Sequence, residues 1–303
     1  MSTSIKERNL PSAEAVLAPS PTQLLLRRMF GHTGMTLGGG VLLLIFLVAI
    51  FAPLLASHDP YHQDLTKRFL SPVWHEKGTW EHLLGTDAFG RDYLSRMMFG
   101  AQTSLLIGFS AMLISGILGT ALGVAAGYFG GRVDMIITFI ITTRLAMPVI
   151  LVALVVVALI GSSLQIVIWV LGLLIWDRFA VVMRAATQQV RAMDYVVAAQ
   201  AAGCSTLRIL LTEIMPNIVN ALIVVATLEV AHAVLLEAAL SFLGLGVQPP
   251  TPSWGLMVSE GKGMMFFKVW VIAIPGTALF LLVLCINLLG DGIRDVTAPE
   301  NRN

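Results

Sequence analysis

Six apolar stretches, most of them long enough to cross a bilayer as helix, constrain this chain more than any other feature. A hydrocarbon core of about 30 Å takes about 20 mostly apolar residues in helical form. The stretches run over 34–56, 102–126, 135–160, 164–177, 218–243 and 269–289, and the fourth is short unless it continues towards Arg184. The expected fold class is an all-α integral membrane protein with six transmembrane helices.

Composition excludes the main soluble alternatives. Only 12% of the 303 residues are charged, against about 25% in a typical soluble domain. The mean hydropathy of +0.83 calls for an apolar solvent around much of the surface. A net charge of +1 leaves no basic surplus for a phosphate backbone, so nucleic acid is not an expected partner and membrane lipid is. The two cysteines, Cys204 and Cys285, imply neither a disulfide framework nor a Cys-based zinc site. Residues 1–33 mix Lys6, Glu7, Arg8, Glu14, Arg27 and Arg28 ahead of any long apolar run, so they read as a cytosolic arm rather than a secretory signal.

Lys and Arg counts set the expected orientation. With the N-terminus cytosolic, the cytosolic segments hold eleven basic residues and the opposite side seven. Both termini are then cytosolic. The division that follows is an arm over 1–33, a first helix over 34–56 and an extracytoplasmic loop over 57–101. A core over 102–290 contains a cytosolic loop at 178–216, and a cytosolic tail covers 291–303. The 57–101 and 244–268 loops carry Asp59-Pro60, Trp74, Trp80, Pro249-Pro250 and Trp254, which suits either a docking face or anchoring of aromatic rings near the headgroups.

Ser115, Gly119, Gly123 and Gly127 recur at four-residue spacing in the second helix. A stripe of small residues lets another helix approach closely, so it reads as packing.

The search for catalytic patterns finds none. The chain has no GxxxxGK[ST], HExxH or GxSxG sequence, so neither ATP binding through a P-loop nor those hydrolytic sites are expected. His58 and His62 have i, i+4 spacing but flank Pro60, which favours a solvated loop over a metal-binding helix. No catalytic or metal-ligating residue is expected. Charged groups inside the apolar stretches carry more weight, because each is costly in lipid and tends to face a bundle interior or an aqueous path. Arg144 precedes Pro148 by one turn, and Glu229, His232 and Glu237 share one face of the fifth helix. They suit a translocation path or an internal network, with Arg144 and Glu237 as one pairing to look for.

In the loop at 194–217, Asp194 is placed to cap one helix, Gly203 suits a left-handed turn, and Ser205 can cap a second helix ending before Pro216. Such a knob fits a partner's groove better than it fits chemistry. Here the sequence resembles the EAA signature of ABC importer permeases at Ala198, Ala199, Gly203 and Pro216, with Val197 where the signature has its leading Glu. Gly85-Thr-Asp-Ala-Phe-Gly-Arg91-Asp-Tyr-Leu-Ser-Arg96, Leu240-Ser-Phe-Leu-Gly-Leu-Gly246 with Gln248-Pro-Pro-Thr-Pro252, and Asn287-Leu-Leu-Gly-Asp-Gly292 look like motifs of the dipeptide, oligopeptide and nickel class, in its C-type subunit. The chain departs from that pattern at Thr142, Val181 and Ala298.

The resemblance implies a type I permease-like bundle in a bacterial inner membrane, most simply for di- or oligopeptides, with glutathione and nickel chelates also in the class. It implies a homologous second permease, one or two cytosolic ATPase subunits docked on the knob, and an extracytoplasmic binding protein. ATP and Mg would be bound by the partner ATPase, leaving this chain without a cofactor or covalent chemistry. The alternatives are an intramembrane enzyme built on Arg144, Glu229, His232 and Glu237, or a passive channel.

Overall fold

The computed structural model describes residues 29–297, so most of the expected arm at 1–33 and the end of the expected tail at 291–303, including Ala298, lie outside the described residues. Helices dominate the described chain. They are α1 Thr33–Ile50, α2 Tyr93–Phe129, α3 Gly131–Leu145, α4 Val149–Ile160, α5 Leu164–Leu174, α6 Asp177–Arg191, α7 Asp194–Ala201, α8 Thr206–Phe242, α9 Trp254–Gly261 and α10 Trp270–Thr297. Among the described residues, α1, α2, α8, α10 and the α5–α6 run are each long and apolar enough to span a membrane, and α3 with α4 makes a sixth span bent by 83°.

Several helix ends differ from the sequence reading, each for a local reason. Helix α2 begins at Tyr93 rather than near 102, because the Asp92 carboxylate caps it by accepting from the Ser95 amide at 2.8 Å. The third stretch breaks at Ala146–Pro148, since proline lacks the amide that would continue the ladder. The fourth does not end near 177. After Ile175 and Trp176 the chain resumes as α6 to Arg191, so the first part of the expected 178–216 loop is helix. Its polar sequence hides an apolar face, Phe179, Ala180 and Met183, which is buried.

The fifth span likewise starts at Thr206, and the helix that Ser205 caps runs on through Pro216 instead of ending before it. A π-helical turn over Ile209–Ile214 precedes the proline, and Asn217 Nδ2 donates to the Glu213 carbonyl at 2.6 Å. Widening the ladder by one residue per turn accommodates the missing proline donor without a stop.

Helices α2 and α8 are the axis of the core. Tyr93, Leu105, Val230, Val234, Trp254 and Leu282 form one buried cluster with α9 and α10, and Ile107, Val157, Leu171 and Leu240 form a second with α4 and α5. The small-residue stripe is where α2 meets α6. A Cβ built on Gly123 would lie 2.5 Å from the Ala180 carbonyl oxygen, one on Gly127 2.7 Å from that of Arg184, and one on Gly119 would strike the Trp176 carbonyl. Ser115 is fully buried at the head of the stripe and its hydroxyl donates to the Met112 carbonyl at 3.1 Å.

Candidate functional site

Three polar assemblies are spaced along this bundle. The first is the knob between α6 and α8. Helix α7 starts at Asp194 itself, with Met193 in the capping position, and Gly203 closes it with φ +75°. The Cys204 amide donates to the Ala199 carbonyl at 3.1 Å, satisfying an end that would otherwise face solvent unpaired. The Ser205 hydroxyl accepts from the Arg208 amide and starts α8. Val196 is fully buried against Met183, Ile209 and Ile214, which fixes the knob to the bundle. Ala198, Gly203 and Pro216 are exposed and Ala199 is half-buried, while Tyr195 and Val197 present apolar surface outward.

The second assembly lies midway along α8. Glu229 is fully buried; its Oε1 accepts from Arg178 Nη1 at 3.2 Å and its Oε2 lies 3.1 Å from His232 Nδ1. The structure thus brings Glu229 and His232 together and adds Arg178, which sequence reading placed in a loop. Arg178 is exposed at the start of α6, so a charged group stands open on one side of a carboxylate sealed on the other.

Arg144 and Glu237 do not pair. Glu237 Oε1 accepts from Ser241 Oγ at 2.7 Å and Ser253 Oγ at 2.9 Å, and Ser253 in turn caps α9. Arg144 donates to the carbonyls of Met147, at 3.3 Å, and Leu174. Each group serves a nearby break in the helices. A guanidinium satisfies the last carbonyl of α5 and one in the α3–α4 break, and a carboxylate ties the end of α8 to the following loop. Arg144, Glu229, His232 and Glu237 therefore do not form one cluster.

The third assembly joins the 57–101 and 244–268 segments. Arg91 Nε lies 2.6 Å from Asp87 Oδ2, Arg91 Nη2 3.1 Å from Glu260 Oε1, and Arg96 Nη2 2.7 Å from Glu260 Oε2. Both arginines are buried. Tyr93 donates its hydroxyl to the Val271 carbonyl at 2.5 Å, and Trp254 Nε1 donates to the Met97 carbonyl at 2.9 Å. Trp254 is therefore a packing residue, whereas Trp74 and Trp80 remain exposed. Sequence reading quoted the Gly85–Arg96 stretch but not its acidic partner at 260, some 165 residues away; two arginines so close to the start of a span were the available signal.

The three assemblies hold charges and hydrogen-bond donors. They suit binding, movement and the passage of a polar solute.

Comparison with known proteins agrees in class. Residues 119–303 match the model of the binding-protein-dependent transport system inner membrane component, and residues 20–72 match the N-terminal TM domain of oligopeptide transport permease C. The chain is 40% identical to the di/tripeptide transport system permease protein DppC of Pseudomonas aeruginosa, over 97% of this chain and 98% of that one. It is 39% identical to the dipeptide transport system permease protein DppC of Haemophilus influenzae, over 89% and 91%. Its fold is similar to that in an inward-facing conformation of the MetNI methionine ABC transporter, at a TM-score of 0.56 and 19% identity, over 69% of this chain and 98% of the other.

Proposed function

The chain belongs to the family of binding-protein-dependent transport inner membrane components, and from that premise we propose that it forms half of the pathway of an ATP-driven importer of short peptides. The observation that carries the reading is the knob. It is a short helix pinned through Val196 and closed at Gly203, with Tyr195 and Val197 facing outward for a cytosolic ATPase to grip.

A homologous permease completes the pore, one or two ATPase subunits bind ATP and Mg and dock at Ala198, Ala199, Gly203 and Pro216, and an extracytoplasmic binding protein delivers substrate to the opposite end of α2. Both termini lie in the cytosol of a bacterium whose inner membrane holds the complex. Closure of the ATPases displaces the knob and rocks the bundle as a nearly rigid body, the usual motion of transporter repeats. Glu229, with Arg178 and His232, faces the path. A zwitterionic peptide carries one charge of each sign, and this group offers a counter-charge to each.

The test is reconstitution of the whole complex with a labelled dipeptide and the binding protein. Uptake that requires ATP inside the hydrolysis compartment is the expected result. Uptake that persists after ATP depletion, or a product formed from substrate by this chain alone, overturns the proposal.

A further inference from the structure

The segment between α1 and α2 holds a cluster that peptide passage does not use. His82 is only 5% exposed, and its Nδ1 donates to Asp92 Oδ1 at 2.9 Å. Its other ring nitrogen, Nε2, is buried without a hydrogen-bond partner. The ring of His58 lies against that of His82 with centroids 4.7 Å apart, and His58 Nδ1 is 3.8 Å from the same Asp92 oxygen. One ligand-capable atom from each of His58, His82 and Asp92 lies within 4.8 Å of the others. These groups wall a cavity of about 260 Å³ that Asp59, His62 and Asp64 also line.

Two imidazole nitrogens converging on one carboxylate oxygen are a donor set for a borderline cation rather than for calcium or magnesium, which prefer oxygen alone. Ligand atoms about 2.1 Å from a tetrahedral zinc ion stand about 3.4 Å apart. The observed 2.9 and 3.8 Å bracket that separation. We infer that His58, His82 and Asp92 bind a divalent transition cation of the zinc class, through the two Nδ1 atoms and Asp92 Oδ1.

Binding replaces the His82–Asp92 hydrogen bond and moves the His82 ring proton to Nε2, the atom that lacks a partner. Glu81 Oε1 is 3.9 Å from that nitrogen, placed to accept the proton, as carboxylates commonly do behind a metal-bound imidazole. Lys67 Nζ lies 2.6 Å from the same Glu81 oxygen and holds that carboxylate beside the ring. The Ser57 hydroxyl, 3.0 Å from His58 Nδ1, is exposed and turns aside as the cation enters. The bound ion would clamp two points of the 57–101 segment, His58 and His82, to Asp92 at the start of α2.

Cobalt(II) is the probe, because its visible absorption reports nitrogen ligation and tetrahedral geometry. The full chain, purified with its partner subunits and without a histidine tag, is stripped with chelator in nanodiscs and titrated with cobalt, then with competing zinc. The expected result is one saturable equivalent per chain, with at least tenfold weaker binding in His58→Gln and no tetrahedral cobalt band in His82→Gln. His58 is partly exposed and caps no helix, so its variant keeps the metal-free thermal transition of the parent and decides the matter even if His82→Gln fails to fold. Absence of saturable binding in the parent, or cobalt binding in His58→Gln equal to the parent's, overturns the inference.

Discussion

Arg178 donates from Nη1 to Glu229 Oε1 across 3.2 Å, tying an exposed guanidinium on α6 to a fully buried carboxylate on α8. The two residues lie 51 positions apart in sequence and on different sides of the knob. Their asymmetry in exposure makes their substitutions unequal.

Glu229→Gln removes the buried charge while keeping a side chain that can accept from Arg178. Membrane abundance is expected to stay at the parent level and dipeptide uptake to fall about tenfold or more. Arg178→Gln instead leaves a buried carboxylate with only His232 beside it, and because the lost guanidinium is itself exposed the cost stays below the roughly 3–5 kcal/mol of breaking a fully buried pair. Its abundance is expected to drop, and the double substitution to restore abundance without uptake. Immunoblots of membranes alongside uptake assays check this, and parent-level uptake in Glu229→Gln sinks the assignment of Glu229 to the path.

Val197→Asp tests the knob. The side chain is half exposed and points away from the Val196 anchor, so the fold is expected to survive. Co-purification of the ATPase subunits is expected to be lost while the two permeases remain together, read by gel filtration of the tagged complex. Retained ATPase with parent-level ATP turnover argues that the ATPase grips elsewhere.

Two glycines separate close packing from backbone conformation. At Gly123 a methyl group would lie 2.5 Å from the Ala180 carbonyl oxygen, so Gly123→Ala must part α2 from α6, and overpacking of this kind costs about 1–3 kcal/mol. At Gly203 nothing lies within 4 Å, and only the φ of +75° opposes a side chain, for about 1 kcal/mol. Thermal unfolding in detergent is expected to be lowered more by Gly123→Ala than by Gly203→Ala.

Glu260→Gln removes the carboxylate shared by Arg91 and Arg96, leaving two buried cations with Asp87 alone. A loss of about 3–5 kcal/mol is expected, seen as a lower unfolding temperature and as early protease cleavage in the 57–101 segment. Glu260→Asp, which keeps the charge, is expected to recover part of it.

The spans were legible because apolar runs of sufficient length have little alternative to helix in lipid. So was the stripe from Ser115 to Gly127, since four-residue spacing marks one helix face. The rest depends on partners distant in sequence. Helix α6 reads as polar loop until Phe179 and Met183 are set against that stripe. Arg178 counted as a loop charge until α6 turned it towards Glu229. Glu237 looked free for Arg144, but Ser253 arrives from the far end of the next loop. His58 and His62 drew attention through spacing along the chain, whereas the contact that forms is between His58 and His82, brought together by loop folding that no local pattern encodes.

The locked junction between the 57–101 and 244–268 segments fixes where displacement can occur. Helix α2 leaves that junction as 37 residues without a proline and ends beside the knob, a length of about 55 Å at 1.5 Å per residue. With one end clamped by Tyr93 and Arg96, a tilt of only about 5° sweeps the other end through about 5 Å, close to one helical turn. Angular gain built into a single long helix thus turns a slight rotation at one face of the membrane into a stroke of molecular size at the other.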